Sequence, residues 1–312
     1  MAVLRTLADG RFHSGEQMAQ QLGCSRASIW QAVENLSQLY GARIFRVRGK
    51  GYRLPAPLVW LDPQAIAAET SGWQVEVAEH IDSSNSALLT RAAQGAPHRL
   101  ALFAEIQTAG RGRRGRQWIS HPGEALTFSI LWRFDCGVAG LSGLSLVVGI
   151  ALTRVLNRLE IPVRLKWPND ILLGERKAAG ILIELAGDTL GPSAVVIGVG
   201  INLADPGEVG QAAAGLADAH RPLPPRNALA AALLNELTAV LTTFAQAGFA
   251  PFQAEWQSWH AFQEQTVWII SPHAPPLQGQ ALGVDGHGAL RLLGHDGEQR
   301  IHAGEVSLRP HL

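Results

Sequence analysis

The sequence predicts an α+β protein of several domains: a winged helix-turn-helix over residues 1–58, a central mixed-sheet α/β domain over 59–263 and a small β-barrel over 264–312. Three changes of pattern carry that reading. Short helical runs joined by Gly-containing turns, with no internal repeat, end in a basic hairpin and the linker Pro55-Ala56-Pro57. Longer alternation of strand-like and helix-like runs follows, and near residue 263 it gives way to short β runs separated by turns. A chain of 312 residues has room for two or three such units, and 47% hydrophobic with 17% charged residues is the balance of a folded globular chain.

The first unit opens with a helix over 2–9 that puts Val3, Leu4 and Leu7 on one face. Ser14-Gly15-Glu16-Gln17 has the form of a capping box and starts a second helix with Met18, Ala19 and Leu22 apolar. Gly23-Cys24 turns the chain, and Ser25 caps a third helix reaching about Leu39. Its apolar set is Ile29, Val33 and Leu36, and its other face shows Arg26, Ser28, Gln31 and Asn35. Two strand-like runs, Ala42–Val47 and Gly51–Leu54, joined by Arg48-Gly49-Lys50, complete a wing. Residues 1–60 hold eight Lys/Arg and three acids, a net +5, which leaves −5 for the remainder. That asymmetry points to a polyanion at the N-terminal unit, with Ser25, Arg26, Ser28, Gln31, Arg46, Arg48 and Lys50 as the candidate DNA contacts. The plainer alternative is a small surface domain whose charges are merely solvated.

In the central unit, strands are expected at Leu100–Glu105, Leu126–Leu131, Arg164–Trp167, Ala179–Leu185 and Ala194–Ile201, and helices at Ser84–Gln94, Gly140–Leu159 and Asn227–Ala247. The last unit reads as strands at Val267–Ile270, Gln278–Val284, Ala289–Leu293 and Gln299–Ala303, punctuated by Gly286-His287-Gly288 and Asp296-Gly297. No apolar run is expected to span a bilayer, and Met1–Phe12 is too broken by Arg5, Asp9, Gly10 and Arg11 to be a secretory signal. Cys24 and Cys136 lack metal-like spacing. They are expected to be buried small hydrophobes in a reducing cytoplasm, with no membrane partner.

Four segments carry chemistry. Gly110-Arg111-Gly112-Arg113-Arg114-Gly115-Arg116 sets guanidinium groups among glycines, a loop that can close on phosphate or carboxylate oxygens. It lacks the Gly-Lys-Ser/Thr ending of a phosphate-binding Walker loop, and an RNA-binding Arg/Gly tract is the bland alternative. The basic residues number 26, and only Lys50, Lys166 and Lys177 are lysines. Two of those three fall in Lys166-Trp167-Pro168-Asn169-Asp170 and in Arg176-Lys177-Ala178-Ala179-Gly180-Ile181-Leu182, where a hairpin would bring them near each other. Lysines at strand ends also serve solubility. Asp82-Ser83-Ser84-Asn85 precedes an apolar helix and needs no function beyond capping it. Gly198-Val199-Gly200-Ile201-Asn202 is a buried strand that ends in a polar residue.

Taken in order along the whole chain, these segments resemble the biotin–protein ligase family, in its bifunctional ligase and biotin-operon-repressor form. Phe12-His13-Ser14-Gly15-Glu16-Gln17 and Gly49-Lys50-Gly51-Tyr52 match in the winged segment as well. The resemblance implies a class II synthetase-like central ligase domain and an SH3-like C-terminal barrel. It also implies ATP-dependent formation of biotinyl-5′-AMP, with Mg²⁺ accompanying the ATP, and transfer of biotin to a lysine of the biotin carboxyl carrier protein of acetyl-CoA carboxylase. Biotin would be both substrate and co-repressor, operator DNA the second partner, and a homodimer the adenylate-bound form.

By the family pattern Ser83, Ser84, Asn85, Gln107, Gly110, Arg111, Gly112, Arg113 and Lys177 would bind biotin. Arg113, Arg114, Arg116, Trp118, Lys166, Asn169 and Asn202 would serve ATP. Lys177 and Arg113 would be the catalytic cations, and Asp170 would help to orient the nucleotide or its Mg²⁺. Joining two anions calls for positive charge and alignment, not a covalent nucleophile, and the sequence offers no convincing nucleophile triad. One departure stands out: Leu203–Ala219, where relatives carry a hydrophobic lid with a tryptophan, has no aromatic residue. Val209, Leu216 or the alanines are expected to form a weaker lid. Two other functions fit the fold: a DNA-binding biotin sensor without ligase activity, and a lipoate-type protein ligase. A nucleic-acid-binding protein that uses the Arg/Gly loop as its contact is a third.

Overall fold

The computed structural model describes residues 1–186, 191–207, 209–272, 274–304 and 306–310. α1 (Ala2–Leu7) buries Val3, Leu4 and Leu7, the face their spacing predicts. The Ser14 hydroxyl accepts from the Gln17 amide to start α2 (Gly15–Gln21), and Ser25 accepts from the Ser28 amide to start α3 (Arg26–Tyr40), both at 3.0 Å. Each cap satisfies an otherwise orphaned N–H and is worth about 1 kcal/mol. Gly41 ends α3 in the left-handed region (φ 65°), and a Cβ there would stand 2.0 Å from the His121 ring, so glycine is required twice over. The wing is β1 (Phe45–Val47) paired antiparallel with β2 (Gly51–Arg53), Arg46 opposite Tyr52. It is shorter than its apolar runs suggested because Ala42 and Leu54 leave the ladder to join the core of Ile29, Val33 and Leu36.

The central part runs α4 (Pro63–Ala68), β3 (Gln74–Ala78), α5 (Ser84–Ala93), β4 (Leu100–Ala104), β5 (Ala125–Phe134), α6 (Leu144–Arg158), β6 (Val163–Lys166), β7 (Asp170–Leu173), β8 (Arg176–Ala186), β9 (Ser193–Asn202), α7 (Arg226–Ala247) and α8 (Gln253–Trp259). Its strands form one mixed seven-stranded sheet in the order β3-β4-β5-β9-β8-β7-β6, with β3 and β4 parallel and every other pair antiparallel. Alternation divides the side chains between two faces. Phe103, Phe128, Ile130, Ile197 and Val199 share a core with the apolar sides of α6 and α7. Leu100, Leu102, Leu131 and Val196 face the other way, onto Leu88 and Ala92 of α5. On this second face Thr127 and Ser129 of β5 lie opposite Gly200 and Gly198 of β9, which in turn lie opposite Gly180 and Leu182 of β8. Small and polar residues there leave a hollow beside the start of α5.

Several expectations change. β3, β7, α4 and α8 have no counterpart in the sequence reading. α6 begins at Leu144 because Val138–Leu141 is a 3-10 turn and Gly143 takes φ 83°. Val138–Arg158 and Arg226–Ala247 are, by length and composition, long and apolar enough to cross a membrane, against the expectation of none. Both lie within the fold, where α6 and α7 share the large core beneath the sheet. Cys24 is exposed and Cys136 only half-buried, so neither is the buried hydrophobe expected.

The C-terminal part is an antiparallel sheet of β10 (Thr266–Ser271), β11 (Ala274–Val284), β12 (Leu290–Gly294), β13 (Gly297–Ile301) and β14 (Ser307–Arg309), in the order β13-β12-β11-β10-β14. Its inward residues Val267, Ile269, Ala281, Leu290, Leu292 and Leu308 are continuous with the core of the central sheet. The Trp167 indole donates to the Gly288 carbonyl at 3.2 Å and Ser142 to the His287 carbonyl at 2.7 Å, which fasten this sheet beside the β6–β7 turn.

Candidate active site

The hollow on the second face is a narrow pocket lined by Ser84, Asn85, Gln107, Trp118, Lys177 and Gly198 among others. Its inner end is polar and buried. Ser83 caps α5, accepting from the Ser86 amide at 3.4 Å, and this turn delivers Ser84 and Asn85 into the pocket. The Ser84 amide donates to Gln107 Oε1 at 2.7 Å, and the Ser84 hydroxyl lies 3.0 Å from the same oxygen and 2.7 Å from Ser129 Oγ. Ser129 donates to Asn85 Oδ1 at 2.5 Å, and Asn85 Nδ2 donates to Glu184 Oε2 at 2.8 Å. The glycines make this possible: a Cβ on Gly198 would stand 2.2 Å from Asn85 Oδ1, and one on Gly200 would stand 2.2 Å from the Trp118 ring. The paired glycines of Gly198-Val199-Gly200 are thus the floor under two neighbouring side chains.

The Arg/Gly loop forms the adjoining wall. It is closed on itself by Gly112 N–H donating to the Arg116 carbonyl at 2.7 Å and Trp118 N–H donating to the Gly110 carbonyl at 2.9 Å. Gly110 allows that approach, since a Cβ on it would stand 2.4 Å from the Trp118 carbonyl oxygen. Arg111 reaches Glu184 at 2.7 Å. Arg113 donates to Asn169 Oδ1 at 3.0 Å and to the Gly304 carbonyl. Arg113 therefore stands where the loop, the β6–β7 turn and the C-terminal sheet meet.

Beyond Arg113 a wider hollow opens, lined by Arg114, Arg116, Trp118, Lys166, Asn169, Asp170, Lys177 and Arg309 among others. Gly112, Arg113, Trp118, Asn169 and Lys177 line both hollows, so the two are continuous. Lys166 and Lys177 do not sit on one hairpin as expected. β7 stands between them, with Lys166 opposite Asp170 and Lys177 opposite Leu172. Lys177 Nζ is 2.6 Å from Asp170 Oδ1 and 5.9 Å from the Trp118 ring centre. Burial holds the Lys166 ammonium below its ordinary pKa, with Arg309, Lys177 and Arg116 adding to the effect and Asp170 opposing it. Burial also lowers Arg113, opposed by Asp170 and reinforced by Arg114 and Arg116. So many cations around one carboxylate make a site that an anion relieves.

Asp170 is the one carboxylate among the described residues of that hollow, and no group of three metal-ligating side chains occurs among the described residues. A lone carboxylate fits Mg²⁺ only when phosphates complete the shell, which is how Mg²⁺ usually accompanies a nucleotide.

The segment after β9 also takes shape. Lys177 N–H donates to the Ala212 carbonyl at 3.0 Å and Ala214 N–H to the Lys177 carbonyl at 2.9 Å, so this stretch lies along β8 like a short parallel strand. Asn202 Nδ2 donates to the Ala214 carbonyl at 3.2 Å, and Asn202 lines a small pocket with Gln117, Trp118, Lys177, Val209 and Gln211, all of which also line the wider hollow. Leu216 and Ala214 are fully buried in the main core and are unavailable as a lid. Val209 lines the hollow, with Gly210, Gln211 and Ala212. Residue 208 of the expected lid lies outside the described residues.

The sequence reading missed Ser129, Glu184 and Arg309. Thr127 and Ser129 were legible as two polar residues at alternate positions of an otherwise apolar strand, and Glu184 as the one acid in Ala179–Leu185. Arg309 depended on β14, too short to stand out.

In the wing unit the predicted DNA contacts share the exposed side of α3 and β1–β2, but several already have partners. Ser25 and Ser28 are joined at the helix cap (2.9 Å), Gln31 donates to Asn35 at 3.0 Å, Arg46 pairs with Glu34, and Lys50 Nζ is 5.8 Å from the centre of the Phe12 ring. Arg26 and Arg48 are exposed.

Comparison with known proteins places these features together. Residues 77–202 match the Biotin/lipoate A/B protein ligase family, residues 1–53 an HTH domain and residues 264–309 the Biotin protein ligase C terminal domain. The chain is 42% identical over 315 aligned residues to the bifunctional ligase/repressor BirA of Escherichia coli, covering 99% of this chain and 97% of that protein. It is 36% identical to the biotin–[acetyl-CoA-carboxylase] ligase of Mycobacterium tuberculosis, over 71% of this chain and 84% of that one. The structure of biotin protein ligase from Aquifex aeolicus in complex with biotin and ATP superimposes with a TM-score of 0.66 at 28% identity, covering 75% of this chain and 98% of that one. Matched along its length, with the helix-turn-helix in front, the chain belongs to the biotin–protein ligase family.

Proposed function

We infer that this protein is an ATP-dependent biotin–protein ligase whose reaction runs between the two continuous hollows. The observation that carries this is the wall of Arg113 and Lys177, which separates a buried hydrogen-bonding pocket suited to biotin's ureido ring from a cationic hollow suited to ATP. Ser83, Ser84, Asn85, Gln107, Gly110, Arg111 and Gly112 serve the ring end. Arg114, Arg116, Trp118, Lys166, Asn169 and Asn202 serve the nucleotide, with Asn202 also tied to the segment beside Lys177. The biotin carboxylate oxygen attacks the α-phosphorus, the bond to the β-phosphate oxygen breaks, and pyrophosphate leaves. Lys177 and Arg113 offset the charge where the two anions meet, and the compact lysine ammonium can touch carboxylate and phosphate at once. A lysine amine of the biotin carboxyl carrier protein of acetyl-CoA carboxylase then attacks the acyl carbon and releases AMP. Mg²⁺ would be held by the phosphates and Asp170 once the Lys177–Asp170 pair opens.

The wing unit makes the protein a biotin-responsive repressor that binds operator DNA as a homodimer in its adenylate-bound state, in the cytoplasm. The working boundaries are 1–58, 59–263 and 264–312.

Incubation with ATP, biotin and carrier domain tests the ligase reading. We expect labelled carrier, and Lys177→Met to lower kcat/KM by about 100-fold or more. A protein that binds biotin without labelling the carrier is a sensor, and one that prefers lipoate in competition is a lipoate-type ligase.

A further inference from the structure

We propose that Glu184 is a positioning residue for the ring pocket: it fixes the direction of the side-chain hydrogen bonds that run through Asn85 and Ser129 to Ser84, and through Arg111 it ties the Arg/Gly loop to that pocket. The proposal rests on reading the pocket as the biotin ring site.

The direction follows from what each group can donate. An ionised carboxylate only accepts, so Asn85 must face Glu184 Oε2 with its NH₂ (2.8 Å) and present Oδ1 to Ser129. Ser129 is fully buried and has one hydroxyl proton, which goes to Asn85 Oδ1 at 2.5 Å. The shorter 2.7 Å contact between Ser84 and Ser129 must then be donated by Ser84, so its single proton is not available for a full hydrogen bond to Gln107 Oε1 at 3.0 Å. Ser84 keeps a lone pair for the pocket and cannot give its proton to a ligand. Gln107 is held by the Ser84 amide at its oxygen (2.7 Å), which leaves its NH₂ as a donor, with no protein acceptor for it among the described residues. The pocket therefore offers an acceptor and a donor side by side, as a cyclic urea with its N–H and C=O groups requires. The acceptor-only end of the chain sets that order, chiefly Glu184 at 2.8 Å and more weakly the Leu182 carbonyl, which accepts from Asn85 Nδ2 at 3.4 Å. If Asn85 were flipped, two oxygens would oppose each other at Glu184 and the polarity would reverse through Ser84.

The second arm of Glu184 reaches outward. Its Oε2 also receives Arg111 at 2.7 Å, so one carboxylate oxygen holds the first arginine of the loop and the amide of Asn85. Glu184 sits in β8, three positions beyond Ile181, whose backbone carbonyl accepts from Asn169, so the tie is anchored on the sheet.

Steady-state KM values for biotin and ATP, measured separately in the full chain, test this. Glu184→Gln keeps the shape but can offer an NH₂ to Asn85. We expect its KM for biotin to rise about tenfold with the KM for ATP within about twofold, and Glu184→Asp to recover part of the loss. In Ser129→Ala the chain is already cut, so adding Glu184→Gln should raise the biotin KM far less than it does alone. Equal rises in both KM values, or full additivity with Ser129→Ala, would overturn the proposal. Ser84→Ala separates the two levels: if it leaves the biotin KM unchanged, the pocket is not the ring site. If Ser84→Ala raises that KM and Glu184→Gln does not, the ring site stands and the role of Glu184 falls. Should Glu184→Gln fold poorly, Glu184→Asp and its cycle with Ser129→Ala give the same reading.

Discussion

Among single residues, the glycines of β9 seat the side chains that line the ring pocket and its junction with the wider hollow. The Gly198 Cβ position is occupied by the Asn85 amide and the Gly200 position by the Trp118 indole, each 2.2 Å away. A methyl at either place must push its neighbour aside. Gly198→Ala should therefore raise the KM for biotin by about tenfold or more with little effect on that for ATP, whereas Gly200→Ala, which displaces the Trp118 shared by both hollows, should raise both. A Gly198→Ala variant that raises both KM values alike would show that the two hollows do not act separately. His260 gives a second residue-scale expectation, outside the site. It is fully buried between Trp256 and Phe262, and burial pushes its pKa down to about 4, with Arg164 acting in the same direction and Gln263 against it. The ring stays neutral in the folded chain while the unfolded chain takes up a proton near pH 6.5. Its contribution to stability is thus complete above about pH 6.5 and shrinks by about 3 kcal/mol as the pH falls to about 4. Urea unfolding across pH 4.5–7.5 should show a steeper loss for the native chain than for His260→Leu. Equal slopes would mean that another group carries the acid sensitivity.

Elements were legible in the sequence where a period or a cap announced them. α2 and α3 have both, α1 has the period alone, and β5, β8 and β9 carry long apolar runs, so these appear where expected. β3 was not legible because its exposed-to-half-buried Gln-Val-Glu-Val pattern is that of an edge strand. β7 was hidden behind the polar Lys-Trp-Pro-Asn-Asp segment that it completes. The motifs lie around one site, but the sequence could not say that β7 separates the two lysines. Nor could it say that Leu216 belongs to the core. The segment after β9 shows why: it is held by contacts with residues far away in the chain. Asn202 donates to the Ala214 carbonyl, and the Ala214 amide donates to Lys177. In Asn202→Ala the stretch 212–214 loses one of its ties, and hydrogen exchange at the Ala214 amide should speed up by at least several-fold while the β9 amides keep their protection. Unchanged exchange at Ala214 would mean that Asn202 does not hold this segment, and its role would then have to be sought in direct contact with the nucleotide.

At the scale of the whole molecule the linker is a fastened strap and not a free tether. Arg43 of the wing unit donates to the Asp205 carbonyl at 2.9 Å, and His121 lies between the Tyr40 and Pro206 carbonyls at 3.4 and 3.3 Å, so the end of α3 touches the segment that runs on to Lys177. The strap itself is held by one buried ion pair. Glu105 accepts from the Leu61 amide at 2.6 Å and from Arg226 at 2.7 Å, while Arg226 also donates to the Val59 carbonyl at 3.3 Å. Asn227 adds bonds to Asp62 and Trp60. Side-chain exposure is only 9% for Arg226 and 1% for Glu105, so removing one partner strands a charge that water cannot reach. Arg226→Met should cost about 3–5 kcal/mol, whereas Arg226→Met with Glu105→Gln should recover much of that, because the stranded carboxylate is gone. Denaturant unfolding of the two variants measures the difference. The strap also sets how far the wing unit can move from the segment beside Lys177. The double variant, refolded but loosely strapped, should therefore show faster proteolytic cleavage at 55–61 than the native chain, while its carrier labelling with saturating biotin and ATP persists. Cleavage as slow as in the native chain would mean that the direct contacts of the wing unit, those of Arg43 and His121 together with Arg5–Glu79 and Tyr40–His80, hold it down. The ion pair would then serve stability and nothing else.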